Sequence, residues 1–216
     1  MKYLFLDASG TNTFGLVSDG KNLFTMKQNT SRTLGAQITT FCDELLNKAG
    51  LSKHEIDLYA ACTGPGSLTG LRIAGSFLRS CAYISNKPLI GIDLFSWAIQ
   101  TLKDQNTTEK VRLIMPTLIG KAFYLDTKAH TVSMGNQEIK PEFSDLITVS
   151  DCEHKLLGIK YSTSTIEETK LSDTAIDSII KTYDNGQQNC FSEMLQVLPM
   201  YVIPSQAERN FRGKKC

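Results

Sequence analysis

One string limits what this chain can fold into more than any other: Thr63-Gly64-Pro65-Gly66-Ser67-Leu68-Thr69-Gly70-Leu71-Arg72. It follows an apolar run, 57–63, that reads as a buried strand, and it opens a stretch, 69–85, that reads as a helix. Glycines at 64, 66 and 70 permit positive φ and close backbone approach. Ser67 or Thr69 can cap the helix. Free amides at a helix start make Gly64, Pro65, Gly66, Ser67, Thr69 and Gly70 a candidate anion site. Arg72 stands in the first turn, where the macrodipole disfavours a cation, so an anion or a carboxylate nearby would offset it. A tight strand-to-helix connection with no ligand explains the same string. The spacing is neither that of a P-loop nor that of a dinucleotide fingerprint.

The rest of the first half supplies the frame. Residues 2–6 form an apolar run ending at Asp7, a buried strand. A polar turn at 9–12 leads to a second strand around Phe14 and Leu16, and Asp19-Gly20 is a hairpin turn before a third strand at 21–27. Ile38, Phe41, Cys42, Leu45, Leu46 and Ala49 follow helical spacing over 36–49, stopped by Gly50. Pro88 to Ile92 reads as a strand and 94–103 as a helix. The order βββαβαβα, with right-handed crossovers, predicts a mixed sheet covered on both faces, as in ribonuclease H-like folds. Polar residues 103–110 mark a boundary, giving a first domain over 1–106 and a smaller second α/β domain over 107–216, whose tail can return to the first. In that half, strands are expected near 111–118, 121–126 and 198–203. A helix is expected around Ile176, Ile179, Ile180 and Tyr183.

Composition removes several function classes. With 216 residues, 41% apolar and a net charge of +1, the chain can bury a real core and lacks the basic balance of a dedicated nucleic-acid binder. No apolar stretch is long enough to span a bilayer, and the start is too short for a signal h-region, so a cytoplasmic setting is expected. The six cysteines form no CxxC pair, and the three histidines form no HxxxH or HExxH spacing, so no metal site is expected.

The helix after the loop is rich in small residues, Ala74, Gly75, Ser76, Ser80, Cys81, Ala82 and Ser85, with Leu71, Phe77, Leu78 and Ile84 as larger apolar groups. That is more apolar surface than one sheet contact needs. It is buried within one domain or against another subunit. For the second case the candidate contacts are Leu71, Ala74, Phe77, Leu78 and Cys81 on this helix and Ile38, Cys42 and Leu45 on the earlier one.

The chain resembles the TsaB (YeaZ) family. The resemblance rests on LFLDASG at the first strand, DELLNKAGLS, GPGSLTGLRIA, PLIGI and, near the C-terminus, PMYV, and covers most of residues 1–100. It implies a two-domain actin-like ATPase fold. It also implies a non-catalytic accessory subunit of the machinery making N6-threonylcarbamoyladenosine at position 37 of tRNAs reading codons that start with A. The implied partners are a TsaD-like catalytic subunit and a TsaE-like ATPase. A homodimer is implied in isolation, and tRNA is met only through the complex. No cofactor would be bound firmly by this chain; ATP and metal would sit on the partners. Asp7, Ser9 and Gly10 would be a degenerate first phosphate loop, with Asp7 capping the turn. Three positions depart from the family pattern. Pro116-Thr117-Leu118 stands for Asp-Ala-Arg, Leu34 for a histidine, and Tyr201-Val202-Ile203 for Tyr-Leu-Arg.

Rival readings fare worse on the residues. A two-metal nuclease needs three or four convergent carboxylates, yet the fourth strand ends in Cys62-Thr63-Gly64 and only Asp7 and Asp93 are placed to contribute. A stand-alone actin-like or sugar-kinase ATPase lacks a second acidic-glycine loop. A dimerisation module with another partner remains an alternative.

Overall fold

The computed structural model describes residues 1–30, 32–105, 111–116, 122–126, 131–135, 145–149, 166–169, 171–183 and 196–199. β1 (Tyr3–Asp7) is buried along its whole length, because it is the central strand with helices on both sides. Its side chains alternate. Leu4 and Leu6 enter the core under α1 (Leu34–Lys48) and α2 (Leu68–Ser85). Tyr3 and Phe5 enter the core under α3 (Leu94–Asp104) and α4 (Asp173–Lys181).

β2 (Asn12–Ser18) and β3 (Leu23–Asn29) extend the sheet antiparallel on one side. β4 (Leu58–Gly64) and β5 (Leu89–Asp93) extend it parallel on the other, in the order β3-β2-β1-β4-β5. The mixed α/β architecture is the one expected. Two boundaries moved for local reasons. β3 begins at Leu23 because the Asp19 carboxylate takes the Lys21 and Asn22 amides at 2.7 Å each, so those residues belong to the turn. α1 begins at Leu34, which is buried and extends the helix's apolar face. Gly15 lets α1 lie close on β2, since a Cβ there would meet Leu45 at 2.6 Å and Phe41 at 2.7 Å.

A second sheet contains β6 (Val111–Pro116), β7 (Ala122–Asp126), β8 (Thr131–Gly135), β9 (Asp145–Val149) and β10 (Ile166–Thr169), in the order β10-β9-β6-β7-β8. β6 pairs antiparallel with β7 and β7 with β8, while β9 is parallel to β6 and β10 to β9. The pattern of the first sheet, a three-strand meander flanked by two parallel strands, is thus repeated. Residues 117 and 118 lie outside the described residues, as does most of the expected last strand; Leu198 and Pro199 are described and are not in a strand.

α4 comes from the second half of the sequence but docks on the first sheet. Ala175, Ile176 and Ile180 are fully buried beside Tyr3, Phe5 and Trp97. Trp97 Nε1 donates to the Ser172 carbonyl at 2.8 Å, the Ser172 amide donates to Thr101 Oγ1 at 3.1 Å, and the Tyr3 hydroxyl donates to Asp177 at 3.0 Å. Residues 196–199 return to the opposite, α2 side of the same sheet. The Val197 carbonyl accepts from Arg79 at 2.6 Å, and Val197 packs where a Cβ on Gly91 would stand.

Candidate functional site

The glycine string is an interlock between two loops. Gly64 has φ +95°, and a Cβ there would meet Leu71 Cδ1 at 2.8 Å. A Cβ on Gly66 would lie 2.5 Å from the Ser9 carbonyl oxygen, and one on Gly70 would overlap the Ala8 carbonyl. The turn after β1 is therefore pressed against the first turn of α2 with no room for side chains. The Ser67 amide donates to Ser9 O at 2.6 Å. Ser67 caps α2, its hydroxyl accepting from the Gly70 amide at 3.3 Å.

This geometry bears on the anion-site expectation. The amides of Ser67, Gly70 and Leu71 already donate within the chain. The groups facing them from the β1 turn are the carbonyls of Ala8 and Ser9, which repel a phosphate. Ser67, Thr69 and Arg72 are exposed, Pro65 is buried, and Gly66 and Gly70 are half-buried.

Asp7 sits at the end of β1, 6% exposed, and its Oδ1 accepts from the Ser9 amide at 2.8 Å. Ser9 and Gly10 are half-buried in that turn. Cys62 lies beside it, two residues before the end of β4. Burial first, then the Asp7 charge, pushes its thiol well above the ordinary value, although the Gly64 amide donates to its Sγ at 3.4 Å. Asp93 caps α3, accepting from the Ser96 amide at 2.9 Å. The ends of the three parallel strands thus carry Asp7, Cys62 and Asp93. Among the described residues no group of three His, Cys, Asp or Glu side chains is placed to hold a metal ion.

The expected partner contacts need correction. Leu71, Ala74 and Leu78 on α2, and Ile38, Cys42 and Leu45 on α1, are all at most 5% exposed and pack into the chain's own core. They cannot reach another subunit in the folded chain, because the same apolar periodicity that marks them out is what buries them on the sheet. Phe77 and Cys81 are half-exposed at the edge of that core. The outward apolar groups of α2 are instead Ile84, 82% exposed, and Tyr83, 62% exposed, while Ile73 packs at the edge of the core beside α1. Ile73, Phe77 and Ile84 share one helical stripe, a signal present in the sequence at spacings of four and seven. The outer face of α1 is polar, with Thr39, Thr40, Asp43 and Glu44 exposed.

Gly75 is the informative residue on α2. It lies mid-helix, and a Cβ there would meet nothing within 4 Å. Nothing in the described chain requires a glycine, although a helix-interior glycine costs about 1 kcal/mol relative to alanine.

Residues 26–118, from β3 to β6, match the family described as TsaD, tRNA N6-adenosine threonylcarbamoyltransferase. A protein of Haemophilus influenzae described as tRNA threonylcarbamoyladenosine biosynthesis protein TsaB is 26% identical over 93 residues, covering 43% of this chain and 39% of that protein. A tRNA N6-adenosine threonylcarbamoyltransferase of Thermodesulfovibrio yellowstonii is 35% identical over 60 residues, covering 28% of this chain and 18% of that protein. The chain therefore matches well under half the length of these relatives. Among solved structures, a Pseudomonas aeruginosa protein with similarity to the peptidase YeaZ superposes with TM-score 0.73 and 15% identity, over 94% of this chain and 99% of that one. A YeaZ structure from the same organism gives TM-score 0.70. The fold is that of the YeaZ proteins, and the resemblance to the TsaB (YeaZ) family read from the motifs stands. Among the described residues no helix is long and apolar enough to cross a membrane.

Proposed function

We propose that this chain, TsaB (YeaZ)-like in sequence and fold, is a non-catalytic accessory subunit of the assembly that forms N6-threonylcarbamoyladenosine on tRNA. It binds a TsaD-like catalytic subunit through the outer face of α2 and holds it in an active conformation. ATP and metal then reside on the partners, a TsaE-like ATPase joins them, and tRNA is met through the complex in the cytoplasm. In isolation the same face pairs two copies of the chain.

The observation that carries this reading is the outer face of α2. Exposed Ser76 and Ser80 form a shallow strip bordered by Phe77, Tyr83 and Ile84, and half-buried Gly75 lies on the flank of the helix beyond Tyr83. A facing helix can approach such a strip closely, and the glycine at its border leaves it further room, a role that nothing among the described residues supplies. The glycine loop supports the helix from its other end, fixing its register on the sheet through Ser9 and Ala8. The non-catalytic part of the reading rests on a loop whose described amides face carbonyls and on a sequence without HxxxH.

The test is a light-scattering titration against the cognate TsaD-like protein, with threonylcarbamoyl transfer assayed on the same samples. Association, and activity only in the mixture, is expected. Ile84→Asp should weaken association by a hot-spot-sized amount, about 2 kcal/mol or roughly thirtyfold. No association, or transfer by this chain alone, overturns the proposal.

A further inference from the structure

We propose that Cys42 and Cys81 are a paired redox site, closing into a disulfide between α1 and α2 on reaction with an anionic low-molecular-weight disulfide of the glutathione type.

The placement follows from topology. α1 runs from β3 to β4 and α2 from β4 to β5, and β3, β4 and β5 all point the same way. The two helices therefore run side by side in one direction on the same face of the sheet. Gly35 of α1 lies beside Ile73 of α2, whose Cδ1 is 3.9 Å from where a Gly35 Cβ would stand. Cys42 lies seven residues further along α1 and Cys81 eight further along α2. At 1.5 Å per residue the advances are about 10.5 and 12 Å, so the two thiols come level. Both belong to the same apolar cluster, and both bear on Tyr59 of β4, which Ser85 hydrogen-bonds.

Their environments divide the labour. Cys81 is half-exposed, and although burial raises its thiol, the Lys53 ammonium works in the opposite direction. That cation favours the thiolate and attracts an anionic reagent. Cys42 is 3% exposed, and burial, then Cys81 and Asp43, pushes its thiol up to about 12. It is shielded from reagents but not from Cys81. In the first step the Cys81 thiolate attacks one sulfur of the small disulfide, forming a mixed disulfide and expelling one thiolate, which takes up a proton. In the second, Cys42 gives up its proton and attacks Cys81 Sγ, expelling the second small thiolate, which is protonated in turn. Two protein thiols are oxidised by two electrons, and the small disulfide is reduced to two thiols.

The test incubates the reduced full chain with glutathione disulfide, quenches by alkylation under denaturing conditions, and maps tryptic peptides without reduction. The expected product joins the Cys42 and Cys81 peptides. Cys42→Ala should stop at the glutathione adduct of Cys81, Cys81→Ser should leave Cys42 alkylated, and Lys53→Gln should slow adduct formation about two- to fivefold. Circular dichroism checks that each variant is folded. Should Cys42→Ala not fold, Cys81→Ser and the wild-type map still decide. A wild-type chain that stays as the Cys81 adduct with Cys42 alkylated, or that joins either cysteine to Cys152, Cys190 or Cys216 instead, overturns the proposal.

Discussion

Glycines 70 and 75 stand five residues apart on α2 and have opposite meanings. At Gly70 a methyl group would be driven into the Ala8 backbone carbonyl, which cannot swing aside. Gly70→Ala should therefore destabilise the chain by about 3 kcal/mol or prevent folding, read by urea denaturation. At Gly75 the space is open among the described residues. Gly75→Ala should stabilise the isolated chain by about 0.5–1 kcal/mol and at the same time weaken assembly. Loss of stability at Gly75 would show that the site serves the fold and not a partner. Glu55 gives a residue-level prediction in pH. The hydrogen bond from Lys2, then that from the Ser52 amide, holds its carboxyl at about 2, below an ordinary value of 4.5. A depressed carboxylate supports the fold above its unfolded pKa, and that support fades as pH falls toward the folded one. Glu55→Gln should flatten the decline of melting temperature between about pH 4.5 and 2; an unchanged decline would refute the linkage. The loop glycines were legible in the sequence because close approach leaves no residue but glycine. Which side of α2 looks outward was not. Leu71 and Ile73 are equally apolar in sequence, and only the sheet decides that the first is 1% exposed and the second half-exposed.

At the scale of elements, period and punctuation carried most of the information. The apolar run of β1, the helical spacing in α1 and the stop at Gly50 are local, and such signals placed each element of the first sheet to within about two residues. Asn86 ends α2 in the left-handed region at φ 52°, and Gly50 follows α1 at φ 66°. The docking of α4 was not legible, because its partners lie far away in sequence. Its amphipathic pattern announces a helix without saying which sheet it covers. Trp97 is the hub of that contact. Its ring packs edge-on to Phe5 at 5.4 Å and against Phe14 at 5.5 Å, while its Nε1 holds the Ser172 carbonyl at the start of α4. Trp97→Phe removes the hydrogen bond and part of the packing. It should cost about 2–3 kcal/mol and speed amide exchange in α4 before it affects β1 or β4. Uniform exchange across the first sheet would mean that α4 does not open separately.

At the scale of the molecule, both sheets use one strand order, a meander beside two parallel strands, although only the first was fully readable from sequence. The first has unbroken apolar runs, whereas the second half is irregular in composition. The first core is also not complete within the first half of the chain. Ala175, Ile176 and Ile180 cover the face formed by Tyr3, Phe5, Leu16 and Trp97. A fragment ending at residue 106 should therefore expose that face, binding a hydrophobic dye and aggregating where the whole chain does not. The same dependence has a consequence during synthesis. The ends of α3 and α4 are 77 residues apart, a gap that takes about 4 to 15 s to translate. Throughout that interval the nascent sheet emerges with one side covered by α3 alone, so a growing polypeptide of this kind is a natural client for ribosome-associated chaperones until its fourth helix arrives.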